Sequence, residues 1–415
     1  MTIDKAAAAA IHDFVGSEQA NMAAMLAELV KVPSDNPPGD CAPHAARAAE
    51  LLEKLGFTVE RHPVPADLVR ANGMISCTNL IVRKRFGPEN SGGPVVAMNA
   101  HGDVVPPGEG WSVDPFAAVV KDGVMYGRGV AVSKSDFVTY TYALLALEKL
   151  GQPLKGSIEL HLTYDEEVGG GIGPEWILAQ GLSKPDYAFS AGFSYAITTA
   201  HNGCLHLEVT VNGKSAHAAR PDTGHDALEA ANRILTALYT YRDTLGGIHS
   251  KVEGITTPSL VVGLIKGGIN TNVVPDRVSF RLDRRMIPEE NPEQVEANLR
   301  NLIAHTVEVL PGITAQVNRV LLARPFGAVP GVEKLIGILT RNATEIMGKP
   351  VGTEGIPLYT DARHYSAAGV KTVLYGAGPR NLLDANGHRA DEKLVLSDLY
   401  KATEVVARTL YELLS

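Results

Sequence analysis

Residues 95–136 read VVAMNAHGDVVPPGEGWSVDPFAAVVKDGVMYGRGVAVSKSD, and the order of features in this stretch decides the fold. Val95 to Met98 is an apolar run too short for a helix and preceded by Gly and Pro, so it reads as a buried strand. His101 and Asp103 follow it directly. In an α/β sheet, residues just past a strand's carboxyl end line the ligand crevice, so an imidazole and a carboxylate would share one pocket. A His-Gly-Asp triplet alone is more often an ordinary polar turn than a metal site, and only its surroundings can decide between the two.

Working outward, helix and strand patterns alternate. Met1 to Val32 is expected to be helical until Pro33, with Met22, Met25, Leu26 and Leu29 at helical spacing. The run Ser34-Asp35-Asn36-Pro37-Pro38-Gly39 is turn chemistry, and His44 to Leu55 is again helical before Gly56. Phe57 to Arg61 and Asn79 to Arg83 read as strands, and Asp136 to Leu150 as a helix closed by Gly151. Ser157 to Thr163 is a β-rich run that ends at Asp165-Glu166-Glu167, followed by Gly169-Gly170-Gly171. Those carboxylates again fall where a sheet presents its ligand-facing end.

The pattern changes near Thr199. Leu205–Val211 is a strand, 224–244 a helix, and Ser259–Ile265 and 277–284 strands; a helix over 292–310 and a strand over 314–320 follow. This is an α+β unit with helices on one face of an antiparallel sheet. Alternation resumes with helical spacing from Ile336 to Ile346, a strand from Lys371 to Tyr375 and a helix from Asp398 to Leu414. The expected organisation is a catalytic α/β domain, 1–198 and 321–415, interrupted by an inserted domain, 199–320; 415 residues exceed what one core usually supports.

Composition excludes several classes. A hydrophobic fraction of 45%, 20% charged residues and a net charge of −8 describe a globular protein without a nucleic-acid footprint. Cys41, Cys77 and Cys204 have no paired spacing and read as reduced thiols. His12, Asp13 and Glu18 interrupt the alanine run Ala6–Ala10 before a signal-peptide core could form, and no apolar run approaches the roughly 20 residues that span a bilayer. A cytoplasmic location with no membrane partner is expected.

The segments His101-Gly-Asp-Val-Val-Pro106, Trp111 to Phe116, Asp122-Gly123, Tyr126-Gly-Arg-Gly129, Asp165-Glu166-Glu167, Gly213 to Gly224, Gly267 to Asp276 and Gly387-His388 lie in one order. In that order they resemble the metallopeptidase family of carboxypeptidase G, acetylornithine deacetylase and succinyl-diaminopimelate desuccinylase. The resemblance spans nearly the whole chain. It implies a zinc-exopeptidase-like catalytic domain with an inserted ferredoxin-like lid that also dimerises, so a homodimer or higher homo-oligomer acting on a small molecule is expected.

The resemblance also implies roles. His101, Glu167 and His388 resemble metal ligands, Asp103 the carboxylate that orients His101, and Glu166 the general base. His217 resembles a residue that reaches a neighbouring subunit's active site to stabilise developing charge. Asn272 and Arg285 resemble groups that hold a substrate carboxylate, for which the planar guanidinium fork is suited. Each has a plainer reading: a solvated Glu-Glu pair, a surface turn at His388, a helix-start or core His217, an ion-paired Arg285. His161, His201, His206, His225 and His364 are read as structural.

Two departures from the family pattern matter more. Alignment on Gly129 and Lys134 puts Val132 where the family has an aspartate bridging two metals, and alignment on Pro185-Asp186 puts Gly192 where it has an acidic ligand. Neither side chain can coordinate a cation. Two divalent ions about 3.5–4 Å apart need anionic ligands between and around them, so at most one labile divalent ion (manganese, zinc, iron or cobalt) is expected. Asp136, about one helical turn beyond Val132, is a candidate compensating carboxylate, and Ser190 and Ser194 are weaker ones.

The expected function is metal-dependent hydrolysis of a carbon–nitrogen bond in a small carboxylate-bearing substrate. The first expectation is an aminohydrolase of the kind represented by nitroanthranilate deaminases, which replace an aromatic amine by hydroxyl and release ammonia. The alternatives are a mononuclear carboxypeptidase, dipeptidase or N-acyl-amino-acid deacylase, and a non-catalytic binding protein derived from the enzyme fold.

Overall fold

The computed structural model describes residues 3–88, 92–380 and 383–415. The chain divides into two compact units: Met1–Thr199 with Ala328–Glu354 and Thr360–Ser415, and Ala200–Gly327 with Gly355–Tyr359. The second unit therefore extends past the expected boundary at residue 320. The strand Thr314–Ala323 continues beyond Val320, and Phe326 pairs back with His201 through two backbone bonds of 3.0 and 3.1 Å. Gly355 joins this unit because its amide bonds to the Glu253 carbonyl, 2.7 Å.

The first unit is built on a mixed sheet. Its strands run in the spatial order Val59–Pro63, Thr78–Phe86, Gly156–Thr163, Val95–His101, Tyr187–Ser190 and Lys371–Leu374, with Ile197–His201 and Thr353–Ile356 beyond. Gly156–Thr163, Val95–His101, Tyr187–Ser190 and Lys371–Leu374 are mutually parallel, so their carboxyl ends open on one side. The alternation of side chains shows in the middle strand. Val96, Met98 and Ala100 enter a large core with the helices Lys5–Val30, Ala42–Lys54, Lys134–Leu150, Glu333–Met347 and Leu396–Leu414, while Ala97 packs on the opposite face with Ala188, Tyr365 and Val370.

The expected helix over residues 1–32 is Lys5–Val30, started by the Asp4 side chain, which accepts from the Ala7 amide; Met1 and Thr2 lie outside the described residues. Inside the opening stretch, Val119–Lys121 and Val124–Tyr126 form a hairpin with Lys393–Val395 as third strand. Its turn, Asp122-Gly123, has φ of 51° and 77°, the left-handed pair that a two-residue hairpin loop requires.

The second unit carries the strands Gly203–Asn212, Ser259–Gly267, Arg277–Met286 and Thr314–Ala323 and the helices Ala227–Leu245 and Pro292–Glu308. In chain order these strands lie third, first, second and fourth across the antiparallel sheet, the ferredoxin-like arrangement. One face alternates inward as Leu205, Leu207, Val209 and Val211 against Ile234, Leu299 and Ile303. Cys41, Cys77 and Cys204 are free and buried, and no helix among the described residues is long and apolar enough to cross a membrane.

Candidate active site

Two adjacent parallel strands deliver the central groups. His101 ends one strand and is in register with Thr163 at the end of its neighbour. Beyond them lie Gly102-Asp103 on one side and the turn Glu166–Val168 on the other. Gly102 allows the two connections to close up, because a Cβ there would stand 2.5 Å from the Tyr164 ring. The link is completed by the Gly102 amide, which donates to the Thr163 carbonyl at 2.8 Å.

Asp103 is fully buried and organises the turn. Its Oδ1 accepts from the Glu166 amide at 3.3 Å, and its Oδ2 accepts from the Glu167 amide at 3.1 Å and from Asn36 Nδ2 at 3.0 Å. His101 Nδ1 faces the Asp103 backbone oxygen at 3.0 Å and its carboxylate at 3.4 Å, which leaves Nε2 directed toward Glu166 Oε2, 3.9 Å away. The orienting group for the imidazole is thus both oxygens of Asp103, the main-chain one nearer. Donor atoms of His101, Glu166 and Glu167 all lie within 4.8 Å of one another.

His388 approaches Glu167 from a third direction but is not one of the donors that converge within 4.8 Å. Its Nε2 lies 3.6 Å from Glu167 Oε1, and its side chain is 69% exposed, the most open of the set. The loop that carries it is anchored by Glu392, which accepts from Arg128 Nη1 at 2.6 Å and from the amides of Gly129 and Ala131 at 3.1 and 3.0 Å. Arg128 and Glu392 are both buried, so this ion pair ties the His388 loop to the 127–131 loop with little solvent screening.

The acidic surroundings exceed what the sequence suggested. Asp361 is buried; its Oδ2 accepts from Thr163 Oγ1 at 3.4 Å and its Oδ1 has no partner. Asp165 is buried beside it, with Oδ2 bound to the Ile172 amide at 2.7 Å and Oδ1 unpartnered. Arg363 and His364 close over the glycine turn. A guanidinium nitrogen of Arg363 bonds to the Gly169 carbonyl, and a Cβ on Gly170 would fall 2.4 Å from Asp361 Oδ1. The sequence signal for Asp361 was the polar run Thr360 to His364, in which His364 Nε2 faces the Gly169 carbonyl at 3.1 Å.

Electrostatics follow from this crowding. Burial, with Glu167 and Asp103 adding to it and His101 opposing, lifts Glu166 to about 8. Burial and Glu166 lift Asp361 to about 7. Burial alone would depress His101, but Asp103 and Glu166 outweigh it and hold the imidazole's pKa well above its ordinary value. One imidazole and two carboxylates converging within 4.8 Å, with His388 3.6 Å from Glu167, suit a divalent cation, so the residues present fit such an ion.

The two departures have structural counterparts. Val132 is half-buried and apolar. A Cβ at Gly192 would lie 2.7 Å from the Tyr375 nitrogen and 2.8 Å from the Leu374 carbonyl carbon, so neighbouring backbone already fills that space. Asp136 does not join the converging donors. Its Oδ1 accepts from the Ala377 amide at 2.7 Å, and burial raises the carboxyl to about 7. Ser190 Oγ donates to Asn99 Oδ1 at 3.2 Å and Ser194 Oγ to the Gly378 carbonyl at 2.9 Å, so both hydroxyls are engaged within the framework.

The structure therefore brings His101, Asp103, Glu166 and Glu167 together, with His388 beside Glu167 alone. His217, Asn272 and Arg285 belong to the second unit. There His217 is exposed on a two-residue strand beside Asn272, whose carbonyl accepts from the Ala218 amide at 3.0 Å. Arg285 lies on the strand Arg277–Met286, with Nε 3.0 and 3.2 Å from the two Asp283 oxygens.

Comparison with known proteins agrees with this architecture. Residues 97–412 match the model of peptidase family M20/M25/M40. The chain is 30% identical to acetylornithine deacetylase of Myxococcus xanthus over 87% of this chain and 89% of the relative. It is 27% identical to succinyl-diaminopimelate desuccinylase of Gluconacetobacter diazotrophicus, over 93% and 95%. Among solved structures, aminopeptidase PepT from Bacillus cereus superposes with a TM-score of 0.74 at 22% identity, covering 96% of this chain and 99% of that one. Bacillus subtilis YXEP, described as a dinuclear metal-binding peptidase, gives 0.68 at 16% identity, covering 96% and 99%.

Proposed function

The chain belongs to peptidase family M20/M25/M40 and is a metal-dependent hydrolase of carbon–nitrogen bonds, and from that premise we propose that it works with a single divalent ion and Glu166 as its base. The observation that carries this reading is the closure at Gly192: the Leu374–Tyr375 backbone occupies the space a second acidic ligand would need. His101, Glu167 and His388 would hold the ion. When bound, it would supply the Lewis acidity that makes a water nucleophilic at neutral pH.

The protein's own groups do the rest. Glu166 takes the water's proton on a carboxylate oxygen and returns it to the departing nitrogen. Asp103 holds both the imidazole of His101 and the amides of the Glu166–Glu167 turn, so base and ligands keep one geometry. We assign the substrate as a small aromatic amine bearing a carboxylate: water adds at the ring carbon, the carbon–nitrogen bond breaks, and ammonia leaves a hydroxyl-bearing ring. A change in ion count relative to a dinuclear peptidase is the reason to look beyond peptide bonds. The second reading, an N-acyl-amino-acid deacylase, is favoured by the 30% identity to acetylornithine deacetylase.

Glu166→Gln is expected to lower kcat by about 10²- to 10⁴-fold with metal content and circular dichroism unchanged. Ammonia released from aminobenzoates identifies the first substrate class, and amino acid released from N-acyl amino acids the second. Manganese-loaded protein should give the paramagnetic resonance spectrum of isolated ions; an exchange-coupled manganese pair would overturn the single-ion site.

A further inference from the structure

On the second unit's sheet, the face opposite its core carries a separate group of donors. Cys204 and His206 are two residues apart on the strand Gly203–Asn212 and so share a face, away from Leu205 and Leu207. In the neighbouring strand, Asp283 is in register with His206 and Arg285 with Cys204. Cys204 Sγ lies 3.2 Å from His206 Nε2 and 3.7 Å from Asp283 Oδ1, and His206 Nε2 lies 3.1 Å from Asp283 Oδ2.

We propose that Cys204, His206 and Asp283 form a second divalent-metal site, for a thiophilic ion such as zinc. The same ring nitrogen of His206 faces both the sulfur and the carboxylate. A thiol–imidazole–carboxylate relay would instead use the two ring nitrogens, one for each partner. Donors that converge on one point are the arrangement of a cation site. The spacing is close as well: zinc bonds of about 2.3 Å to sulfur, 2.0–2.1 Å to nitrogen and 2.0–2.2 Å to oxygen place tetrahedral donors about 3.3–3.6 Å apart. His206 Nε2 lies 3.2 Å from the sulfur and 3.1 Å from Asp283 Oδ2, within a few tenths of an ångström of that, while the 3.7 Å approach to the sulfur is made by the other oxygen, Oδ1; taking one donor atom from each residue, all three lie within 4.8 Å of one another.

The carboxylate is also positioned from behind, as metal-binding carboxylates commonly are, by Arg285 Nε at 3.0 and 3.2 Å. A hollow of about 570 Å³, lined among others by His206, Asp283, Arg285, Val261, Leu264 and Val320, lies over this face and opens on the imidazole and the carboxylate. Paired strands hold the donors without a loop rearrangement.

Cobalt(II) substitution tests this independently of the first site, whose ligands include no sulfur. Cobalt-loaded protein should show a thiolate-to-cobalt charge-transfer band in the near ultraviolet with tetrahedral d–d bands in the visible. The charge-transfer band should persist in His101→Ala and disappear in Cys204→Ser. His206→Ala and Asp283→Asn should weaken cobalt binding at least tenfold, read from the same band, with circular dichroism confirming the fold. Absence of the band in the unaltered protein at saturating cobalt, or its survival in Cys204→Ser, would overturn the assignment.

Discussion

Glu159 shows how a single residue on the site's central strand shapes acid stability. Its carboxylate is buried and receives hydrogen bonds from His161 Nε2 at 3.0 Å and Ser183 Oγ at 2.5 Å, with an Arg83 guanidinium nitrogen also bonded. Burial alone would raise its pKa, but His161, Ser183 and Arg83 outweigh that and lower it to about 2 from an ordinary value of 4.5. A carboxyl depressed in the folded state contributes stability that is present above about pH 4.5 and is lost as pH falls toward 2. Glu159→Gln should therefore cost on the order of 3 kcal/mol at pH 7, by urea unfolding, and progressively less as pH falls below 4.5. A penalty that stayed constant down to pH 3 would refute the ion-pair account. At this scale, sequence reading reached the residues that follow strand ends, His101, Asp103, Glu166 and Glu167, because strand termini predict a shared crevice. It did not reach Asp361 or the pairing of His206 with Asp283. Asp361 meets Thr163 across 198 residues of chain, and His206 meets Asp283 across 77, separations that no local pattern encodes.

Between elements, the parallel strands Tyr187–Ser190 and Lys371–Leu374 set the space around Gly192. Past their ends the chains stay paired: the Tyr375 amide donates to the Ser190 carbonyl at 3.1 Å, and the Gly378 amide to the Gly192 carbonyl at 2.9 Å. This leaves no side-chain volume at Gly192. Gly192→Glu should destabilise the protein by about 1–3 kcal/mol through overpacking, measured by urea unfolding. The double variant Val132→Asp, Gly192→Glu should still fail to show a coupled manganese pair. A coupled pair in the double variant would mean that the backbone yields and that only the missing carboxylates had kept the second ion out. The periodic elements were legible in advance: the sequence predicts strands over 205–211 and 259–265, and the structure has Gly203–Asn212 and Ser259–Gly267. The strands Val119–Lys121 and Val124–Tyr126 were not legible, since three residues are too few to display an alternation.

For the whole molecule, the deciding feature is that hydrophobic burial is partitioned. Leu299 is fully buried and belongs to a core formed only by residues of the second unit, among them Val209, Ile234, Phe280 and Ile303. The first unit's main core draws on the five helices around Val96, Met98 and Ala100 and contains nothing from 200–327. The insertion was legible in the sequence because the order of its strands and helices changes character near Thr199. Its exact limits were not, because the backbone pairings of Phe326 and Gly355 are tertiary. Leu299→Ala removes contacts from one core and should destabilise it by about 2–5 kcal/mol. Hydrogen exchange followed by mass spectrometry should then show faster exchange across 200–327. Exchange in Lys134–Leu150, and the manganese resonance at the His101 site, should stay as in the unaltered protein. Equal acceleration in Lys134–Leu150 would show that the two cores open as one cooperative body, and the partition seen in the packing would not extend to stability.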